Sequence, residues 1–249
     1  MSGTEVVVYE NPGLLAAAAA ARLVTRLVDV QAAKGSASLV LTGGGTGIGT
    51  LKELRESHAR GAIDWSRLDI YWGDERFVPA DSDERNEKQA REALLDHVPL
   101  APERIHVMAA SDGEFGDDPD AAAAAYAKVL EDVPSFDIVL LGLGGEGHTA
   151  SVFPDSPAVH EITRPVVAVR DCPKPPPTRV SLTLPTIRRA QEVWLMTGGA
   201  EKADAVAQAL AGAPEAEIPV SGARGQRRTL WLLDRAAAGK LTKAYQPPA

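Results

Sequence analysis

Glu146-Gly147-His148-Thr149-Ala150-Ser151 places an imidazole beside a carboxylate and among glycines, separated by four residues from the apolar run FDIVLL. Histidine exchanges a proton near neutral pH without help, so His148 is placed to act as a general base with Glu146 beside it. Trp72-Gly73-Asp74-Glu75-Arg76 ends another apolar run. There Asp74 reads as a base or an orienter of His148, and Arg76 as a fork for phosphate or carboxylate oxygens. A third segment, LTGGGTGIG at 41–49, follows a strand-like run and opens a helix-like one. Backbone N–H groups at Gly44, Gly45 and Thr46, with the helix dipole behind them, suit an anion such as a phosphate. Arg179 and Lys202 are two further cations at strand or helix ends, and Asn86 stands before a helix as a candidate substrate contact.

Several look-alike motifs fail on spacing. Gly44 and Gly49 have the separation of a Walker A loop, but Thr50-Leu51 stand where Lys-Ser/Thr is needed. Gly45-x-Gly47 is followed by Thr50 instead of a third glycine. Gly142, Gly144 and Gly147 match G-x-G-x-x-G formally, yet Pro154 follows seven residues later, too soon for the long helix a dinucleotide site requires. Asp81-Ser82-Asp83-Glu84-Arg85-Asn86 starts like a calcium loop, but arginine occupies a ligand position and Asn86 replaces the glycine. Glu146 and His148 have no third metal ligand at recognisable spacing, so no metal is expected. His58, His97, His106 and His160 lack a comparable setting.

Positioning these loops requires strands that end on one edge. Strand-like runs fall at 5–9, 38–42, 68–72, 104–108, 136–142, 165–170, 179–184, 192–197 and 229–234. Helix-like runs fall at 14–34, 49–60, 84–97, 119–132, 202–210 and 234–239. Such alternation predicts βαβ units, and runs apolar on both faces predict strands covered by helices on both sides. The expected fold is therefore α/β, a doubly wound and mostly parallel open sheet, with residues 1–249 as a single domain. In such sheets ligands bind outside the carboxyl ends of the strands, which brings the three loops to one crevice. The proline-rich CPKPPP at 172–177 must be extended and reads as a rigid loop over that site.

Composition narrows the function classes. The 249 residues carry 26 Lys+Arg against 34 Asp+Glu, a net charge of −8, which argues against a nucleic-acid partner. A lone Cys172 excludes an internal disulfide and a cysteine-rich metal site. The longest apolar run, 14–21, is too short to span a bilayer, and MSGTEVVVYE has no secretory pattern. A cytoplasmic protein with no membrane association is expected.

In order and spacing, LTGGGTG, YWGDERFVP, the Asn86 turn, LLGLGGEGHTASVFP, KPPPTRVSLTLP and TGGAEKA resemble the 6-phosphogluconolactonase family over nearly the whole chain. One departure is Glu146, where that family usually has aspartate. The resemblance implies hydrolysis of a phosphosugar lactone, 6-phospho-D-glucono-1,5-lactone, without a cofactor. It further implies His148 as the base, Gly44, Gly45, Thr46, Arg179 and Lys202 at the phosphate, and Arg76 and Asn86 at the sugar acid. The related glucosamine-6-phosphate deaminase/isomerases resemble the chain less, because Phe153 stands where their second acidic residue belongs. Sugar-phosphate sensor domains resemble it too, but no helix-turn-helix fits before Ser38.

Overall fold

Helix α1 (Pro12–Lys34) begins where Asn11 accepts a hydrogen bond from the Leu14 N–H at 2.9 Å and Pro12 supplies a preset φ. It ends at Gly35, which takes the left-handed conformation at φ 83° and donates to the Gln31 carbonyl. Leu15, Ala19, Leu23, Leu27 and Val30 recur at helical spacing and are buried. Each such leucine contributes about 1.5–3 kcal/mol over an exposed one. Residues 3–242 are described in this computed structural model.

The stripe of α1 packs beside a six-stranded parallel sheet. Its strands are β1 (Gly3–Tyr9), β2 (Ala37–Leu41), β3 (Leu68–Trp72), β5 (Ile138–Leu141), β8 (Glu192–Thr197) and β9 (Arg228–Asp234), in the order β1-β9-β8-β5-β2-β3. Every residue of β5 and β8 is buried, as the apolar runs predict for strands covered on both faces. From β2 the chain steps outward to β3, then returns across β2 to β5 and continues the other way. The direction therefore reverses between β2 and β5, and their carboxyl ends define the crevice.

A second, three-stranded antiparallel sheet stands beside this mostly parallel, doubly wound arrangement. It comprises β4 (Asp74–Arg76), β7 (Arg179–Leu182) and β6 (Val166–Val169), in the order β4-β7-β6. Gly73 joins the two sheets, donating to Leu41 O at 3.0 Å and accepting from Leu182 N at 2.8 Å.

Residues 104–108, expected as a strand, contribute one bridge at Ile105 to Ile70. The His106 N–H reaches Ile70 O at 2.9 Å, but the next rung is interrupted by a side chain. The hydroxyl of Tyr126, on helix α4 (Pro119–Val129), accepts from Trp72 N at 3.0 Å and donates to His106 O at 3.1 Å. It satisfies both groups that a seventh strand would have paired. Strand β9 takes Asp234, and residues 235–239 form turns, not the helix expected at 234–239, because the buried Asp234 carboxylate accepts the N–H groups of Ala237 and Gly199.

Candidate active site

Helix α2 (Gly44–Glu56) starts five residues earlier than expected, so the glycine segment is the first turn of the helix. Gly43 is its cap and offers no side chain, leaving the N–H groups of the first turn without a side-chain acceptor. Gly44 has φ 79°, and a Cβ at Gly47 would lie 2.5 Å from Thr42 O, so both positions require glycine. Gly44, Gly45 and Thr46 line a cleft together with Asp74, Arg76, Asn86, His148, Arg179 and Lys202. Nine of the ten sequence-predicted site residues are thus brought together around about 620 Å³ of space open to solvent, and Glu146 lies just behind His148. Three cations face one lining carboxylate, so the cleft is locally positive in a chain of net charge −8.

The antiparallel sheet sets the cationic wall. Its register places Asp74 opposite Ser181 and Arg76 opposite Arg179. Like charges directly across a ladder destabilise it, which makes this pair suited to an anion. Asp74 and Arg76 share one face, and the intervening Glu75 points away toward helix α3 (Asn86–Ala93). Buried Glu75 accepts the N–H groups of Arg76, Asn86 and Glu87 at 2.7–2.8 Å and caps α3 from outside. Burial pushes its carboxyl up to about 7 against the opposing pull of Arg85 and those donors. Asn86 Nδ2 donates to Asp74 O at 2.8 Å, while its buried Oδ1 has no partner. Arg76 donates to Glu84 O and leaves a buried Nε unpaired. An unpaired acceptor and an unpaired donor therefore belong to side chains lining the same cleft, ready for hydroxyl and acidic groups.

His148 is held on two sides. Nδ1 lies 2.9 Å from Glu146 Oε1, and the ring stacks on Phe153 with centroids 4.4 Å apart. A carboxylate only accepts, so Nδ1 carries the proton and Nε2 is the basic nitrogen. Burial pulls the imidazole below its ordinary 6.5, with Glu146 opposing and Lys174 assisting. For Glu146 burial acts upward, but the Lys174 hydrogen bond and His148 outweigh it and hold the carboxyl low. Gly144 makes room for the ring: a Cβ there would sit 2.0 Å from Nδ1.

Asp74 makes no hydrogen bond to His148, which corrects its reading as the orienter; Glu146 has that contact. Asp74 instead accepts from Ser151 Oγ at 2.6 Å and lies 3.8 Å from Arg179 Nη1. Arg179 is also more committed than the sequence implies. Its Nε donates to Pro176 O at 3.1 Å and its Nη2 to Lys174 O at 3.1 Å. The proline-rich loop is thus pinned beside the site, as expected. Lys202 has its closest acidic neighbour, Glu201, at 3.9 Å. Sequence reasoning missed Ser151, Glu75 and Lys174. Ser151 lies within the quoted GHTAS run, whereas nothing in the spacing joins Lys174 to Glu146. Among the described residues no group of three His, Cys, Asp or Glu side chains is arranged to hold a metal.

The family model for glucosamine-6-phosphate isomerases/6-phosphogluconolactonase matches residues 10–231. A 6-phosphogluconolactonase of Streptomyces coelicolor is 57% identical, with 100% of this chain and 99% of the relative covered. One of Mycobacterium tuberculosis is 53% identical over 96% of this chain and 98% of its own. Among solved structures, the 6-phosphogluconolactonase of Trypanosoma brucei superposes with TM-score 0.84 at 29% identity, covering 97% of this chain and 100% of that one. A monomeric glucosamine-6-phosphate deaminase shares the fold at TM-score 0.80 and 22% identity, over 94% and 99% of the two chains. With these relatives and this site, the chain belongs to the glucosamine-6-phosphate isomerase/6-phosphogluconolactonase family.

Proposed function

We propose that the chain hydrolyses 6-phospho-D-glucono-1,5-lactone to 6-phosphogluconate, in the oxidative branch of the pentose phosphate pathway, with His148 as general base. The observation that carries this reading is a neutral imidazole, oriented through Nδ1 by Glu146, on a cleft lined by three cations and a helix N-terminus. Nε2 takes a proton from water as the oxygen attacks C1 of the lactone. The carbonyl pair moves onto oxygen to give a tetrahedral oxyanion. When that intermediate collapses, the bond from C1 to the ring oxygen breaks and His148 returns the proton to the leaving oxygen. Glu146 stabilises the imidazolium formed between the two steps. The first turn of α2 at Gly44, Gly45 and Thr46 takes the 6-phosphate with Lys202 and the charge of Arg179, while Arg76 and Asn86 meet the sugar acid.

These steps use side chains and water, with no cofactor. We read the chain as a single catalytic unit acting in the cytoplasm on a small molecule, and its net charge weighs against a nucleic-acid partner. No helix among the described residues is long and apolar enough to cross a membrane. An isomerase would need a second acidic group near the imidazole, and Phe153 stacks there instead.

The test is hydrolysis of freshly generated lactone, coupled to 6-phosphogluconate dehydrogenase, in chelator and against the spontaneous rate. Rapid turnover with no ammonia released from glucosamine 6-phosphate is expected. A rate equal to background would overturn the reading.

A further inference from the structure

The carboxylate behind His148 has two oxygens, and only one of them touches the imidazole. The other, Glu146 Oε2, accepts from Lys174 Nζ at 2.9 Å. Glutamate has one more rotatable bond than aspartate, and the Glu146 side chain is 34% exposed. A half-exposed, longer carboxylate has water-facing rotamers that abandon Nδ1 unless its second oxygen is held.

We propose that Lys174, carried on the proline-rich loop, is a positioning residue: its ammonium holds the outer oxygen of Glu146 so that the inner one stays on His148 Nδ1. This inference rests on the reading of His148 as the base.

The loop is built to deliver that ammonium. Prolines at 175, 176 and 177 fix their own φ, and Cys172 N closes the base of the loop on Pro177 O at 2.9 Å. Arg179 holds the loop's crown, donating to the carbonyls of Lys174, Pro175 and Pro176. Arg179 is itself set by Asp74 at 3.8 Å and lies over Phe153 at 6.0 Å, and Phe153 stacks on His148. The contacts form a closed circuit: His148, Glu146, Lys174, the loop backbone, Arg179, Phe153 and His148 again. The circuit explains why a buried arginine makes three hydrogen bonds to loop carbonyls, through Nε and Nη2.

The same ammonium acts on the imidazole at longer range. The charged groups facing His148 are Glu146, Asp74 and Lys174, with Arg179 beyond the Phe153 ring. Losing that charge alone would favour the imidazolium, but Glu146, which raises the imidazole more than Lys174 lowers it, then swings off Nδ1, so His148 titrates at lower pH. Being exposed, the Lys174–Glu146 pair adds little to stability, and its effect belongs in the kinetics.

The experiment compares Lys174→Met, Lys174→Arg and His148→Ala by kcat, KM, pH–rate profile and NMR titration of the His148 ring. Lys174→Met should lower kcat about tenfold, short of the roughly hundredfold loss from a 1 Å misplacement, with KM within about twofold. Its acid limb and the His148 midpoint should both move to lower pH, and Lys174→Arg should restore most of both; a move to higher pH would mean the ammonium acts by its charge alone and would overturn the inference. Wild-type kcat with an unmoved midpoint in Lys174→Met would overturn the inference. So would a loss confined to KM with an unmoved midpoint, which would make Lys174 a substrate ligand. Full activity in His148→Ala would overturn the base reading instead, and the ring titration would still report whether Lys174 acts on His148.

Discussion

Gly144→Ala isolates the placement of the imidazole from the stability of the fold. Gly144 lies outside the left-handed region, so its backbone accepts alanine without strain. The added methyl would meet His148 Nδ1 at 2.0 Å, Cε1 at 2.1 Å and Glu146 Oε2 at 2.8 Å. Ordinary contact needs about 3.4 Å, so the ring must retreat by roughly 1.4 Å. A misplacement of that size costs on the order of a hundredfold in kcat, equivalent to about 2.7 kcal/mol of transition-state stabilisation. Stability should hardly move. The lost hydrogen bond is worth about 1 kcal/mol, and alanine returns about 0.4–1 kcal/mol by restricting the unfolded chain. Tm should therefore stay within about 4 °C of wild type. The assay is the coupled lactone hydrolysis beside a thermal melt, with Gly61→Ala as control, since a Cβ there meets nothing within 4 Å. A Gly144→Ala enzyme with kcat within about threefold of wild type would refute the reasoning. So would a collapse of Tm that accounts for the lost activity.

Asp74→Ala removes the acceptor of Ser151 Oγ and the carboxylate beside Arg179, both buried. It should cost about 3 kcal/mol and lower Tm by roughly 6–12 °C; a melt within about 2 °C of wild type would contradict this. Glu75 titrates near 7 in the fold against an ordinary 4.5, so its folded form binds more protons in that window. Its contribution to stability is fully present below 4.5 and is lost as pH rises through about 7. The Tm advantage of wild type over Glu75→Gln should accordingly shrink between about pH 5 and pH 8, and an advantage that grows would sink the assignment. The depressed His148 has a kinetic sign of its own. The base must be neutral, so the acid limb of kcat/KM should fall below the ordinary imidazole value of 6.5, and a limb above it would contradict the burial argument.

Much of this architecture is readable because its signals are local. The strands at 68–72 and 192–197 match the apolar runs residue for residue, and convergence of the three loops follows from where those strands end. What stayed hidden depends on contacts distant in sequence. Val166–Val169 and Arg179–Leu182 look like any β-branched run, since side-chain alternation carries no information on strand direction. The strand-like 104–108 loses its ladder to Tyr126, about 20 residues on, whose hydroxyl fits between two backbone groups. Helix α2 was expected at Gly49 because glycine disfavours helix, yet Gly44, Gly45 and Gly47 lie within it, trading propensity for close backbone approach. The partners of His148 divide the same way. Glu146 is two residues away and legible, whereas Lys174 is brought there only by a loop that Arg179 folds back.

The most direct test of the account is steady-state hydrolysis of the lactone by His148→Ala over the pH range where the wild type is active. The account predicts a kcat lower by about 10²–10⁴-fold, a KM close to wild type and a melting temperature lower by only a few degrees, because the ring's proton transfer is removed while the phosphate and sugar contacts remain. A His148→Ala enzyme that keeps the wild-type kcat would contradict it.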